Sequence, residues 1–180
     1  MAENGIDFLL GQHQRIQQLL DAVANAPAES RQATFDELRE LLAVHETAEE
    51  FILRPVTRSD VPGGDVIADA RMAEENQAKQ VLADLEKLDV TTPEFLTAYT
   101  AFSKDVLEHA QNEESYEFPL VREHEDTDAL AQMGEALEKA ERSAPTHPHP
   151  SARTTTAAAV MGPFAAMVDK VRDALAGASK

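Results

Sequence analysis

The sequence predicts an all-α protein: an up-down-up-down four-helix bundle with a C-terminal extension, partly helical and partly irregular. Three observations predict it. No segment alternates polar and apolar residues as a half-buried strand would. Four long stretches carry apolar residues at steps of three and four. Glycine and proline fall between those stretches and leave short connections. On that pattern residues 1–125 form the bundle and residues 126–180 the extension.

The first helix spans Met1 to Ala26, with Ile6, Leu9, Ile16, Leu20 and Val23 on one face, and stops at Pro27. Ser30 is positioned to cap a second helix, whose stripe is Phe35, Leu38, Leu42 and Ile52, running to Arg54 before Pro55 ends it. Arg58 to Gly64 reads as a loop. Asp65 opens a third helix to Leu88, with Ala68, Met72, Ala78, Leu82 and Leu85 inward. Thr92-Pro93-Glu94 combines a capping hydroxyl, proline at the first helical position and an acid at the positive end of the dipole. That fourth helix runs to Glu117 and breaks at Pro119, with Phe95, Tyr99, Phe102 and Val106 inward. A shorter fifth helix covers Thr127 to Arg142. Ser143 to Gly162 is aperiodic and rich in Pro, Thr and Ala. Pro163 opens a last helix whose face of Phe164, Met167, Val168, Val171 and Leu175 is expected to dock on the outside of the bundle.

Composition narrows the function. The chain has 180 residues with 33 acids, 16 bases, six histidines and no cysteine, for a formal net charge of -17. Such a surface repels nucleic acid and anionic membranes. Absence of cysteine excludes disulfides, thiolate zinc sites, iron–sulfur clusters and cysteine nucleophiles. With 43% hydrophobic residues the chain can still bury a core. No apolar run approaches the roughly 20 residues of a membrane span. Met1-Ala2-Glu3-Asn4 lacks the basic start and apolar block of a signal peptide. A soluble, cytoplasmic protein is expected.

An internal repeat points to the chemistry. His45-Glu46-Thr47-Ala48-Glu49-Glu50 aligns with His109-Ala110-Gln111-Asn112-Glu113-Glu114, and a proline follows ten residues after each histidine, Pro55 and Pro119. Upstream, Asp7, His13, Leu19 and Leu20 align with Asp69, Glu75, Val81 and Leu82. The halves read H…HxxxE and E…HxxxE, two helical hairpins related by a pseudo-two-fold axis. Continuing each apolar stripe lands on His13, on His45 and Glu49, on Glu75, and on His109, Glu113 and Tyr116.

Three carboxylates and three imidazoles on core stripes are costly unless compensated. No arginine or lysine is expected on those stripes, and Lys79 stands only at an edge. Metal cations resolve the conflict. Six N/O donors without sulfur suit a pair of divalent or trivalent first-row ions, and HxxxE puts both side chains on one helical face. A lone histidine on an apolar face is usually a satisfied core residue, and an exposed i,i+4 His–Glu pair usually only steadies its helix. Two such pairs, both on core stripes and in register with two further polar interruptions, favour the metal site. Glu50 and Glu114 lie about 100° round the helix from their neighbours and fit either supporting groups or solvated acids. Tyr116 fits packing, a hydrogen bond to the cluster or an added ligand. His147 and His149 fit a solvated proline-rich linker or an arm that folds back onto the site. His124 is expected to be exposed. HETAE falls one residue short of the zinc-protease HExxH, and no ExxH occurs.

On His13, His45-Glu46-Thr47-Ala48-Glu49-Glu50 with Arg54-Pro55, Asp69…Ala73-Glu74-Glu75-Asn76, and His109…Glu113-Glu114…Phe118-Pro119, the chain resembles hemerythrin-like proteins of the HHE cation-binding type, over about residues 5–125. The resemblance implies a four-helix bundle around two iron ions, bridged by an oxo or hydroxo group and by Glu49 and Glu113. His13, His45 and His109 would be terminal ligands, and zinc or manganese the alternative metals. The family usually carries histidine on the third helix, where this sequence has Glu75. The harder donor set favours reacting with or sensing peroxide, oxygen or nitric oxide, in an oxidative or nitrosative stress role, over reversible oxygen carriage. Catalase-like or oxidase activity is one form of that reading. A non-catalytic oxygen- or iron-binding or storage protein, and a zinc-loaded interaction bundle, are the alternatives.

Overall fold

The computed structural model describes residues 4–143. His147, His149, the Pro/Thr/Ala-rich segment and the helix expected from Pro163 lie outside them. The described residues contain helices and no strand. They form the expected up-down-up-down bundle of four rods plus one further helix. No described helix is long and apolar enough to cross a membrane.

The first rod is α1, Gly5–Asn25, capped by Asn4, whose side chain accepts from the Asp7 backbone N–H at 2.9 Å. The second rod joins α2 (Ala28–Ala48), a five-residue π-helix π1 (Glu49–Leu53) and α3 (Arg54–Asp60). The third is α4, Gly64–Leu85. The fourth joins α5 (Pro93–Asn112), π2 (Glu113–Glu117) and α6 (Phe118–His124). As the sequence predicts, Thr92 caps α5 by accepting from the Phe95 N–H, with Pro93 in the first turn.

Two expectations are corrected here. Ser30 does not cap the second helix; the helix begins at Ala28 behind Pro27, and Ser30 lies inside its first turn. Pro55 and Pro119 do not end their helices. Proline removes a donor and crowds the carbonyl four residues back. Here the preceding turn widens instead: the N–H groups of Arg54 and Phe118 bond the carbonyls of Glu49 and Glu113, five residues back. The second rod therefore runs on to Asp60. The loop expected over 58–64 shrinks to the turn at Val61 to Gly63. Gly63 takes φ 75°, and a Cβ on Gly64 would stand 1.7 Å from the Thr57 carbonyl oxygen.

The repeat read in the sequence is visible as matched contacts. Arg58 of α3 pairs with Asp69 of α4 at 2.6 Å, and Arg122 of α6 pairs with Asp7 of α1. These exposed pairs contribute little energy, but they mark the same register in both halves.

The apolar core divides in two. One cluster gathers Ile16, Leu20, Val23, Phe35, Leu38, Leu82, Leu85, Phe95, Tyr99 and Phe102. The other gathers Ile6, Leu9, Ile52, Leu53, Val56, Phe118 and Val121. Helix α7, Thr127–Ser143, packs on α1 and α2 and adds Met133, Ala136, Leu137 and Ala140 to the second cluster. Along α1, His13 falls between Leu9 of one cluster and Ile16 of the other. The polar interruptions of all four rods meet in that intermediate layer.

Candidate metal centre

The six residues that interrupt the core stripes come together. His13, His45, Glu49 and Glu113 each offer a donor atom within 4.8 Å of the others, and so do Glu49, Glu75, His109 and Glu113. Glu49 and Glu113 belong to both groups. All six are buried: Glu49 and Glu113 at 0% exposure, Glu75 at 1%. Apolar layers on both sides keep bulk water away from them.

Each imidazole is held by its outer nitrogen. His13 Nδ1 lies 2.9 Å from Glu114 Oε1, His45 Nδ1 2.9 Å from Gln12 Oε1, and His109 Nδ1 2.9 Å from Glu74 Oε2. These oxygens only accept, so each Nδ1 carries the proton, and a neutral ring turns a bare Nε2 lone pair inward. Nε2 of His13 and Nε2 of His45 face each other at 3.1 Å. His13 Nε2 and Glu113 Oε2 stand 3.3 Å apart, as do His109 Nε2 and Glu113 Oε1. Glu49 Oε1, Glu113 Oε2 and His109 Nε2 are buried without a hydrogen bond. Lone pairs aimed at one another in a dry site repel unless a cation stands among them. The donor set therefore fits metal, and imidazoles oriented by outer carboxylates and amides are the usual support of such ligands.

The electrostatics agree. Burial, and then the neighbouring His13, hold His45 well below the usual imidazole range. Burial, then Glu113, raise Glu49 well above the usual carboxylate range. Burial would raise Glu113 too, but Arg54 and His109 outweigh it and hold that carboxyl well below. Burial opposes protonation of His109, yet Glu113 chiefly pushes it up to about 9. A cation beside Nε2 takes that proton's place.

The expectation that no basic group shares the stripes is wrong. Arg54, 1% exposed, lies against the cluster. It donates from Nε and Nη2 to Glu75 Oε1 at 3.1 and 2.7 Å, from Nη2 to Glu49 Oε2 at 3.3 Å and to Glu113 Oε1, and from Nη1 to Glu117 Oε2 at 2.8 Å. Thr57 Oγ1 donates to the other Glu117 oxygen. Glu117 is fully buried while Tyr116 is 67% exposed, so the packing or ligand role expected for Tyr116 is not met. The reason is the π2 turn. The extra residue moves the stripe from three residues beyond Glu113 to four.

The remaining predicted neighbours divide. Glu114 supports His13, whereas Glu50 reaches Lys79 Nζ at 3.7 Å, which in turn lies 3.7 Å from Glu75 Oε2. His124 is exposed at the end of α6, as expected. Sequence reasoning missed Gln12, Glu46, Arg54, Thr57, Glu74 and Glu117. Gln12 and Glu74 carry a readable signal, since they occupy equivalent positions just before His13 and Glu75 in the repeat. Glu46 is buried, with Oε2 unbonded, and burial and Glu75 push it up to about 7. A cleft of about 180 Å³ lined by Glu74, Gln77, Ala78, Asp105, Glu108 and His109 reaches the edge of the cluster between α4 and α5.

Residues 4–121 match the hemerythrin HHE cation-binding domain. An uncharacterized hemerythrin-like protein of Schizosaccharomyces pombe is 27% identical over 134 residues, covering 73% of this chain and 66% of the relative. The chain thus spans just under two thirds of that relative's length. The crystal structure of a hemerythrin HHE cation-binding domain-containing protein from Mycobacterium kansasii, an Rv2633c homolog, aligns with a TM-score of 0.68 at 28% identity. That alignment covers 78% of this chain and 89% of the other.

Proposed function

The chain belongs to the hemerythrin HHE cation-binding family, and on that footing we propose that it holds a pair of iron ions and uses them to react with or sense peroxide, oxygen or nitric oxide. One ion would be held by His13 and His45, the other by His109 and Glu75, with Glu49 and Glu113 shared between them. The observation that carries the reading is the pair of inward-facing imidazole nitrogens of His13 and His45, 3.1 Å apart with both outer nitrogens already engaged.

When bound, an iron pair supplies redox chemistry that no side chain here possesses. The chain's own residues do the rest. Glu114, Gln12 and Glu74 fix the tautomers of the three histidines. The two apolar clusters exclude water above and below. The cleft of about 180 Å³ beside His109 has room for a diatomic molecule or peroxide at the edge of the cluster. Three carboxylates against three imidazoles make a hard donor set, which favours the ferric over the ferrous state. That bias supports consumption or sensing of oxidants, in an oxidative or nitrosative stress role within the cytoplasm, over reversible oxygen carriage.

Rapid mixing of the anaerobically reduced protein with oxygen, peroxide or nitric oxide tests the reading. We expect irreversible oxidation by oxygen or peroxide, and oxygen evolution if the activity is catalase-like. A spectral change that oxygen induces and its removal reverses would contradict it in favour of an oxygen carrier. Protein purified with zinc and inert to all three reagents would favour an interaction bundle.

A further inference from the structure

The six donor positions of the centre correspond between the two halves, and at one of them both the donor and the group packed on it differ. His13 corresponds to Glu75, and Phe118 corresponds to Arg54. In one half the Phe118 ring stacks on His13, with centroids 5.4 Å apart and planes at 21°. In the other half the Arg54 guanidinium donates two hydrogen bonds to Glu75. An imidazole on an aromatic ring thus faces a carboxylate on a guanidinium. The planar fork of arginine suits this task, because it engages Glu75, Glu49 and Glu113 at once. Behind it, Glu117 and Thr57 hold the guanidinium in place. Their counterparts in the repeat, Leu53 and Val121, are apolar, so this anchorage exists in one half alone.

The consequence follows from charge and shared donors. A cation entering between His13 and His45 meets two imidazole lone pairs. A cation entering between Glu75 and His109 meets the fixed positive charge of Arg54, whose two N–H groups already occupy Glu75 Oε1. We propose that Arg54 is a resident cation of the Glu75 half, so that the two halves take divalent first-row metal with unequal affinity. The His13–His45 half fills first, and the Glu75–His109 half, held back by Arg54, sets how much of the protein carries the complete pair. The inference rests on the reading of the cluster as a metal centre.

Anaerobic titration of the metal-free full chain with Co(II), followed by visible absorption and calorimetry, tests it. For the wild type we expect two uptake steps separated by at least tenfold in affinity. Arg54→Lys keeps the charge and keeps two well-separated steps. Arg54→Met removes the charge and narrows the gap. Should that variant fail to fold by circular dichroism, the double variant Arg54→Phe with Glu75→His reads the same property, because it rebuilds the pair used in the other half. It should bring the two steps within about threefold of each other. Uptake of one ion by the wild type and two by the double variant would also meet the proposal. Two ions bound with equal affinity by the wild type would overturn it. So would a separation that neither Arg54→Met nor the double variant changes. Failure of the wild type to bind cobalt or iron at all would overturn the metal reading itself, and this inference with it.

Discussion

Nε2 of His13 faces Nε2 of His45 across 3.1 Å, at the level where the two apolar clusters of the bundle part. With each ring's Nδ1 committed outward, the two Nε2 atoms are left to share one cation between them, a proton in the metal-free chain or a metal ion in its place. The bundle holds two imidazoles in an arrangement suited to sharing a cation.

That arrangement depends on the groups outside the ligands. Gln12→Leu removes the acceptor for His45 Nδ1, and Glu74→Leu removes the one for His109. Each should lower metal affinity by about 10- to 100-fold, the usual cost of losing an orienting partner. Competition with a chelator of known affinity reads the loss. Unchanged helix content by circular dichroism would separate it from unfolding.

The metal-free protein should lose stability as pH rises from neutral to alkaline. Glu46 is raised to about 7 and His109 to about 9 in the folded chain. For both, the folded state holds a proton more tightly than the unfolded state, so their stabilisation is present at low pH. It disappears as pH rises through 7 for Glu46 and through 9 for His109. For His109 the difference from an ordinary imidazole amounts to on the order of 3 kcal/mol. Metal takes the place of the His109 proton, so the loaded protein should lose the part of the decline that His109 causes. Thermal melts at pH 6, 7.5 and 9 with and without chelator would show it. A metal-free melting temperature that stays level across that range would count against these assignments.

Tyr116→Phe should leave metal content and spectrum unchanged, because the tyrosine is two-thirds exposed and turned off the core stripe. Any shift in the visible or near-ultraviolet spectrum on this substitution would return the phenol to the cluster.

Leu137 is fully buried among Ile6, Leu9 and the rest of the second apolar cluster. Leu137→Ala should cost about 2–5 kcal/mol, as large-to-small core substitutions do. Gly5 reports the same contact, since a Cβ there would stand 2.4 Å from Met133 Cγ. A change near zero for Leu137→Ala in chemical denaturation would mean that α7 is not an integral layer of this core.

Much of this centre was legible in the sequence because burial imposes a helical period. His13, His45, Glu49, Glu75, His109 and Glu113 each sit where an apolar residue is due, and the repeat fixes which of Glu74, Glu75 and Asn76 belongs to the stripe. Arg54 is hidden by the expectation that its helix ends at Pro55, whereas Glu117 and Tyr116 trade places for a different reason. A regular 3.6-residue period does not survive the π turn at Glu113–Glu117, so the buried stripe beyond Glu113 falls one residue later than that period predicts. Pro55 and Pro119 signal a disturbance of the helix, but not whether it ends or widens. Glu46 left no trace at all, because its counterpart in the repeat is Ala110.

Metal content per chain, measured with the absorption spectrum, tests most directly whether these six residues hold a pair of metal ions. The wild-type protein should contain up to two iron ions and show ferric absorption in the near ultraviolet. His45→Ala should lose at least the ion of the His13–His45 half, and Glu49→Ala should lose both. Wild-type protein that binds no iron after reconstitution would contradict the account, as would His45→Ala and Glu49→Ala variants that retain the full wild-type content and spectrum.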